Sequence, residues 1–376
     1  MAKKRELLRI GFDSGASAIK CHASCGDRAT SLVLSPGAIQ QRSETLDAYR
    51  CQVGTDLIHR SFAGVGENYL AIGRLADRLG ATQSVKQLKS DTIVYKILAV
   101  VSIISQRLDL GTKFDLQLGC LLPPGEFCDR ERIQSDLITA LADFDTPIGG
   151  FNVRLVSINF YIEGMGVAQL LKANNRESFG TGIVLMAGHR NLSFHIAESN
   201  EIIMSQTRDL GFIYWVKAVV RQTYDYELSR LTTAIADYWV QKDIVCLKPI
   251  LRNTSEEHQA AEIKRLVEAI EIAHDNYCTL IFDWLNDSLP DRISESIMAG
   301  GVSEVLQTEL IEYFSNKLIC NPKYDNRPVI FNPATFKLPI LNVASEYQTR
   351  MADVYCLWRY LMPELLRKSK STKDNV

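Results

Sequence analysis

No stretch of the 376-residue chain is apolar for long enough to cross a bilayer. The longest strongly apolar run, Ile97 to Ile104, is held between Lys96 and Arg107 and falls far short of the roughly 20 residues a membrane helix needs. It reads as a core segment, and no membrane partner is expected. An excess of either charge is also absent: 42 Lys and Arg stand against 44 Asp and Glu, a formal net charge of -2. With 46% apolar residues this excludes a disordered or supercharged chain, and no broad basic surface points to direct nucleic-acid contact. The nine cysteines, at 21, 25, 51, 120, 128, 246, 278, 320 and 356, are odd in number, scattered and mostly set in apolar runs, so reduced thiols are expected. Cys21-His22-x-x-Cys25 offers half of a zinc site, and no second pair with ligand spacing follows. The basic start Met1-Ala-Lys3-Lys4-Arg5 is interrupted by Arg9 and Asp13 before a signal-peptide core develops, which points to a cytoplasmic protein.

A chain of this length is about 2.5 typical domains, so two lobes are expected. Leu7 to Phe12 is compact and apolar, Asp13-Ser-Gly-Ala-Ser17 is a turn, and Ala18 to Cys21 resumes a strand, together a hairpin with a Ser/Gly-rich tip. The pattern recurs midway: Ile183 to Ala187, a Gly188-His-Arg-Asn191 tip, then Leu192 to Ile196. Such a recurrence suggests two related lobes, each aiming a hairpin tip at a shared cleft. Between the hairpins, Asp91 to Leu108 and Glu131 to Phe144 read as helices, and Phe114 to Leu122 and Phe151 to Ile162 as strands. Glu163-Gly-Met-Gly then leads into a helix through Lys172, its glycines marking a hinge. Farther on, Thr254-Ser-Glu-Glu257 has the form of a capping box. It opens a long helix whose stripe of Ile263, Leu266, Val267, Ile270, Tyr277, Leu280, Ile281 and Trp284 reads as core. Ser296 to Ala299 suits a buried strand, Gly300-Gly301 a turn, and Glu304 to Phe314 the following helix. A last periodic segment, Ala352 to Leu366, gives way to a basic tail, Arg367 to Lys373, read as solvated.

Three places carry candidate chemistry. At the first hairpin tip, Asp13-Ser14-Gly15 with Ser17 and Lys20 offers exposed backbone N-H groups, a carboxylate able to hold hydrated Mg2+, and an ammonium for phosphate, although Asp-Ser-Gly is also an ordinary turn. Gly300 and Gly301 let backbone approach a flat purine or a sugar without obstruction by Cβ. Glu163, at a strand end, has the position to orient an attacking water, or is simply a loop carboxylate.

Taken in order, these segments resemble the actin, sugar-kinase and heat-shock-chaperone ATPase superfamily, and specifically the ParM/StbA-like bacterial actin homologues of plasmid segregation. Ile10-Gly-Phe-Asp13-Ser-Gly15-Ala-Ser-Ala-Ile-Lys20 is similar to the first phosphate loop. Tyr69-Leu-Ala-Ile-Gly73 resembles a first-lobe segment of ParM-like proteins, Gln117-Leu-Gly119-Cys-Leu-Leu-Pro123 a strand end, and Ile162-Glu163-Gly164 the connecting segment. Met298-Ala-Gly300-Gly301-Val302-Ser resembles the adenosine loop. Leu338-Pro-Ile-Leu-Asn342-Val-Ala-Ser345 resembles the return into the first lobe, with Ser345 where glycine is usual.

The resemblance implies an α/β, two-lobed actin-like fold, each lobe a duplicated ribonuclease-H-like mixed sheet flanked by helices, with nucleotide in the cleft between lobes. It places lobe I at 1–165 plus 340–376 and lobe II at 166–339. ATP or ADP with Mg2+ is the implied cofactor. Asp13 would hold the metal, and Ser14, Gly15, Ser17, Lys20, Gly188, His189 and Asn191 would meet phosphates. Gly300, Gly301 and Val302 would face adenosine, and Glu163 would orient water. It also implies a head-to-tail homopolymer that reaches DNA through an adaptor. One departure is marked: the second phosphate loop usually reads D-x-G-x-x-T, and here Met186 stands at its acidic position, with His189 or Arg190 able to supply positive charge. Hydrolysis is therefore slow or absent on this reading. A non-hydrolysing scaffold or regulator is the alternative, followed by a small-molecule kinase of the same fold, for which no aspartate stands in the place of a catalytic base.

Overall fold

The computed structural model describes residues 5–50, 56–81, 88–174, 180–198, 201–223, 226–253, 255–319, 328–332, 343 and 347–361, the side chains of 172–174 and 361 excepted. Cys51, Thr254, Cys320, Leu338–Asn342, Ser345, residues 362–366, the basic tail and Lys3-Lys4 lie outside the described residues. Two compact units divide the chain, Met1–Leu170 with Pro333–Val376, and Leu171–Asn332.

The first unit opens with an antiparallel meander, β1 (Leu7–Ser14), β2 (Ile19–Cys25) and β3 (Arg28–Leu34). A side sheet follows, in which β4 (Ala38–Gln41), β5 (Phe62–Val65) and β6 (Asn68–Ile72) accompany the helices α1 (Ser43–Arg50) and α2 (Arg74–Arg78). Then come α3 (Ile93–Arg107), β7 (Asp115–Leu122) and α4 (Arg130–Ala142). The short strands β8 (Phe144–Thr146) and β9 (Gly149–Phe151) complete the side sheet, and β10 (Arg154–Ile162) leads into α5 (Met165–Asn174). The main sheet has the order β10-β7-β1-β2-β3, with β1, β7 and β10 parallel. β7 is buried along its whole length, which is why its Leu116-Gln-Leu-Gly-Cys-Leu-Leu122 run is nearly continuous rather than alternating. Helix α3 is apolar on most faces for the same reason, and each fully buried Leu or Ile there contributes about 1.5–3 kcal/mol.

The second unit repeats the plan. A meander of β11 (Thr181–Ala187), β12 (Leu192–Glu198) and β13 (Glu201–Arg208) precedes the helices α6 (Phe212–Gln222), α7 (Leu228–Gln241) and α8 (Glu256–Ser288). Strand β14 (Glu295–Ala299), helices α9 (Gly301–Val305) and α10 (Gln307–Lys317), and β15 (Val329–Ile330) follow. The order β13-β12-β11-β14-β15, with β11, β14 and β15 parallel, is that of the first unit's main sheet. Two α/β units built on the same mixed sheet realise the duplication expected from the two hairpins. In the first unit, α11 (Ala352–Cys356) lies against β1 and β2.

Several boundaries differ from the sequence reading. Phe144 and Phe151 belong to the short strands β8 and β9, where they stack on each other, so α4 stops at Ala142 and β10 starts at Arg154. The long helix is capped at Ser255, whose hydroxyl meets the His258 ring rather than a backbone N-H, and Leu280 on its expected core stripe is 38% exposed. The helix after Gly300 starts at Gly301 and is interrupted at Leu306. The periodic segment from Ala352 passes after Cys356 into a π-turn, Leu357–Leu361. No helix among the described residues is long and apolar enough to cross a membrane.

Candidate functional site

Strand β1 carries Asp13 to the tip of the first hairpin, and the antiparallel register sets it opposite Lys20. Lys20 Nζ lies 2.6 Å from Asp13 Oδ2. The other carboxylate oxygen, Oδ1, accepts from Lys89 Nζ at 2.8 Å, and Lys89 reaches onward to Glu163 Oε1. Lys89 heads a 3-10 turn, Lys89–Asp91, that is fixed from behind by the Ser90 N-H donating to buried Glu126 at 2.8 Å. Asp13, Lys20, Lys89 and Glu163 thus form one chain of alternating charge inside the first unit. Burial alone would raise the Asp13 pKa, but the attraction of Lys20 and Lys89 outweighs it and holds the carboxyl well below its ordinary range. Burial likewise opposes charge on Lys89, and Asp13 and Glu163 more than compensate. Lys96, buried one helical turn into α3, is pulled down to about 8 by burial and by the charge of Lys89.

The hairpin tip beyond Asp13 is tightly built. Ser14 is 1% exposed, and its hydroxyl meets no hydrogen-bond partner, a costly arrangement unless a ligand completes it. A Cβ on Gly15 would stand 2.7 Å from the Ala18 carbonyl oxygen and 3.3 Å from Asp13 Oδ2, so the chain can fold over the carboxylate only with glycine there. Ala16 and Ser17 are exposed at the turn.

Glu163 follows the end of β10, where Gly164 has φ +93. The next turn is held by a residue that the sequence did not suggest. Asp353, buried on α11, accepts hydrogen bonds from the backbone N-H groups of Gly164 (2.6 Å), Gly166 (2.8 Å) and Val167 (3.2 Å), and so caps the start of α5 from a distant part of the chain. Burial pushes its pKa up to about 7, with the N-H of Gly164 pulling the other way.

In the second unit, the β11–β12 hairpin closes with the Gly188 N-H donating to the Asn191 carbonyl at 3.0 Å. The carbonyls of Gly188, His189 and Arg190 accept from Phe212, Ile213 and Gly211, so this tip satisfies the open N-H groups at the start of α6. The Asn191 amide is oriented with its nitrogen facing Asp209 Oδ1 at 2.8 Å, which brings to the tip a carboxylate that the motif reading missed. Met186 lies in β11, opposite Ser193 and Ala299. Gly300 has φ +96, and a Cβ there would stand 2.4 Å from the Ala187 carbonyl oxygen, so only glycine lets β14 turn beside β11. Gly301 starts α9, and the Val302 side chain is buried in the core.

The half zinc motif is structural. His22 and Cys21 point to opposite sides of β2, and His22 bonds Ser31 through Nδ1 between the rings of Tyr355 and Trp358. Among the described residues no group of three or more His, Cys, Asp or Glu is arranged to hold a metal. The donors around Asp13 in the first unit fit phosphate better than a divalent cation, because both Asp13 oxygens accept from ammonium groups.

No family model and no curated protein matches the chain. Solved structures do. The actin-like protein Alp7A shares 12% identity and a TM-score of 0.63 over 98% of this chain and 100% of its own. A Bacillus thuringiensis ParM with ATP shares 11% identity and a TM-score of 0.58 over 96% and 99%. An Alp12 filament structure shares 13% identity and a TM-score of 0.54 over 96% and 99%. The chain has the actin-like fold of the ParM and Alp7A kind, as its ordered motifs implied.

Proposed function

We propose that this protein is a nucleotide-binding actin-like subunit that assembles with copies of itself into filaments under the control of bound ATP or ADP. The observation that carries the reading is the Asp13–Lys20 ion pair at a tip whose Gly15 leaves no room for a Cβ, in the hairpin that the resemblance assigns to phosphate. Likeness to a ParM solved with ATP and to an Alp12 filament supports both parts of it.

In this reading Lys20 meets phosphate charge, Ser14 donates its hydroxyl to a phosphate oxygen, and the backbone of Gly15 and Ser17 closes over it. Gly188, His189 and Asn191 contribute further phosphate contacts, and Gly300, Gly301 and the Val302 backbone take the adenosine. Asp13 fixes the two ammonium groups. The polymer is a head-to-tail homopolymer that positions DNA through an adaptor, in keeping with the near-neutral net charge of -2.

A non-hydrolysing scaffold is the second reading, favoured by the tie of Glu163 to Lys89 and by Met186 at the acidic position of the second loop. Glu163 orients an attacking water only if its carboxylate is released from that tie. Titration calorimetry with ATP separates both readings from an unliganded fold: binding that weakens at least tenfold in Lys20→Met supports the site, and equal binding by the variant removes it.

A further inference from the structure

We propose that the Lys89 ammonium takes the charge-balancing place of the divalent cation in this site, so that the protein binds nucleotide with little dependence on Mg2+. The inference rests on the nucleotide reading above and concerns how that same site is neutralised.

A protein-bound Mg2+ keeps several of its waters and is held through one or two carboxylates together with substrate phosphates, so those carboxylates must have oxygen lone pairs open to the metal or its waters. Each Asp13 oxygen is already engaged by an ammonium. Oδ1 is 2.8 Å from Lys89 Nζ and Oδ2 is 2.6 Å from Lys20 Nζ, both in the range of strong charge-assisted hydrogen bonds.

Lys89 is built into place. Its turn is anchored by the Ser90 N-H on Glu126, and its ammonium bridges Asp13 and Glu163. Two ammonium groups, Lys20 and Lys89, already balance two carboxylates, Asp13 and Glu163. A divalent ion would have to break an ion pair whose Asp13 and Lys89 side chains are 8% and 13% exposed, and separating a buried pair leaves an uncompensated charge. An ammonium has three N-H donors. Lys20 spends one on Asp13 and Lys89 spends two, on Asp13 and Glu163, so donors remain for phosphate oxygens. The N-H donors that phosphate oxygens require are thus supplied by the chain, on ammonium groups already held in place.

Titration calorimetry of the full-length protein with ADP, once with Mg2+ and once with excess EDTA, tests this without any variant. Dissociation constants that agree within about threefold are expected. Weakening in EDTA by about tenfold or more overturns the inference while leaving nucleotide binding intact. No binding in either buffer removes the nucleotide reading and this inference with it. In Lys89→Met, ADP binding in EDTA is expected to weaken at least tenfold and to recover in part on adding Mg2+, while Lys89→Arg keeps metal-free binding. A Lys89→Met protein that binds ADP in EDTA as the parent does contradicts the assignment.

Discussion

Lys89 and Asp13 stand 76 positions apart in sequence and meet at 2.8 Å, with Lys20 closing the other side of the same carboxylate. This relationship surrounds the first hairpin's carboxylate with two cations, and in the proposed reading the unpartnered Ser14 hydroxyl is completed by phosphate.

Replacing Ser14 by Ala separates a binding role from a structural one. A buried hydroxyl without a partner costs roughly 1–3 kcal/mol, so Ser14→Ala is expected to leave the unliganded protein as stable or more stable in urea denaturation. Its ADP affinity is expected to fall about tenfold. Reduced stability with unchanged affinity would mark Ser14 as a packing residue only.

Asp353→Asn is expected to destabilise the first unit by about 1–3 kcal/mol. Three N-H groups converge on the carboxylate, and an amide must turn its NH2 toward at least one of them. Chemical denaturation reads the loss, and an unchanged midpoint would show that water replaces the cap.

Gly300→Ala places a side chain at φ +96 and against the Ala187 carbonyl. The backbone strain alone costs about 1–3 kcal/mol, so a clear drop in the thermal midpoint is expected. A neutral effect would mean that β14 and β11 separate without penalty.

His274 supplies a pH dependence in the second unit. Its Nε2 lies 2.9 Å from Glu309, its Nδ1 3.1 Å from Asp275, and its ring stacks on Trp239. Burial disfavours the imidazolium, but hydrogen bonds to Cys278 and Glu309 outweigh it and push the pKa from 6.5 up to about 10. Because the folded-state pKa is the higher one, this stabilisation is complete below about 6.5 and is lost as pH rises toward 10. Urea midpoints are expected to fall over that interval more steeply in the parent than in His274→Gln, and parallel slopes would contradict the assignment.

Both hairpins, helix α3, strand β7 and the β14–Gly300 turn were legible because each announces itself locally, through alternation, an apolar run or a glycine pair. Lys89 and Asp353 were not. Lys89 sits in a three-residue turn without periodicity, and Asp353 reaches Gly164 across 189 positions, so neither has a local signal that would link it to the site. The same limit hid the tie of Glu163 to Lys89, although its strand-end position was readable. Phe144 and Phe151 were assigned to longer neighbours because strands as short as β8 and β9 leave no period to read.

High-speed sedimentation of the purified protein across a concentration series, with and without ATP, addresses the central claim most directly. The account predicts pelleting above a threshold concentration with ATP, little without it, and loss of the ATP effect in Lys20→Met. Sedimentation that ignores nucleotide, or that survives Lys20→Met unchanged, would contradict a filament governed from the Asp13 site.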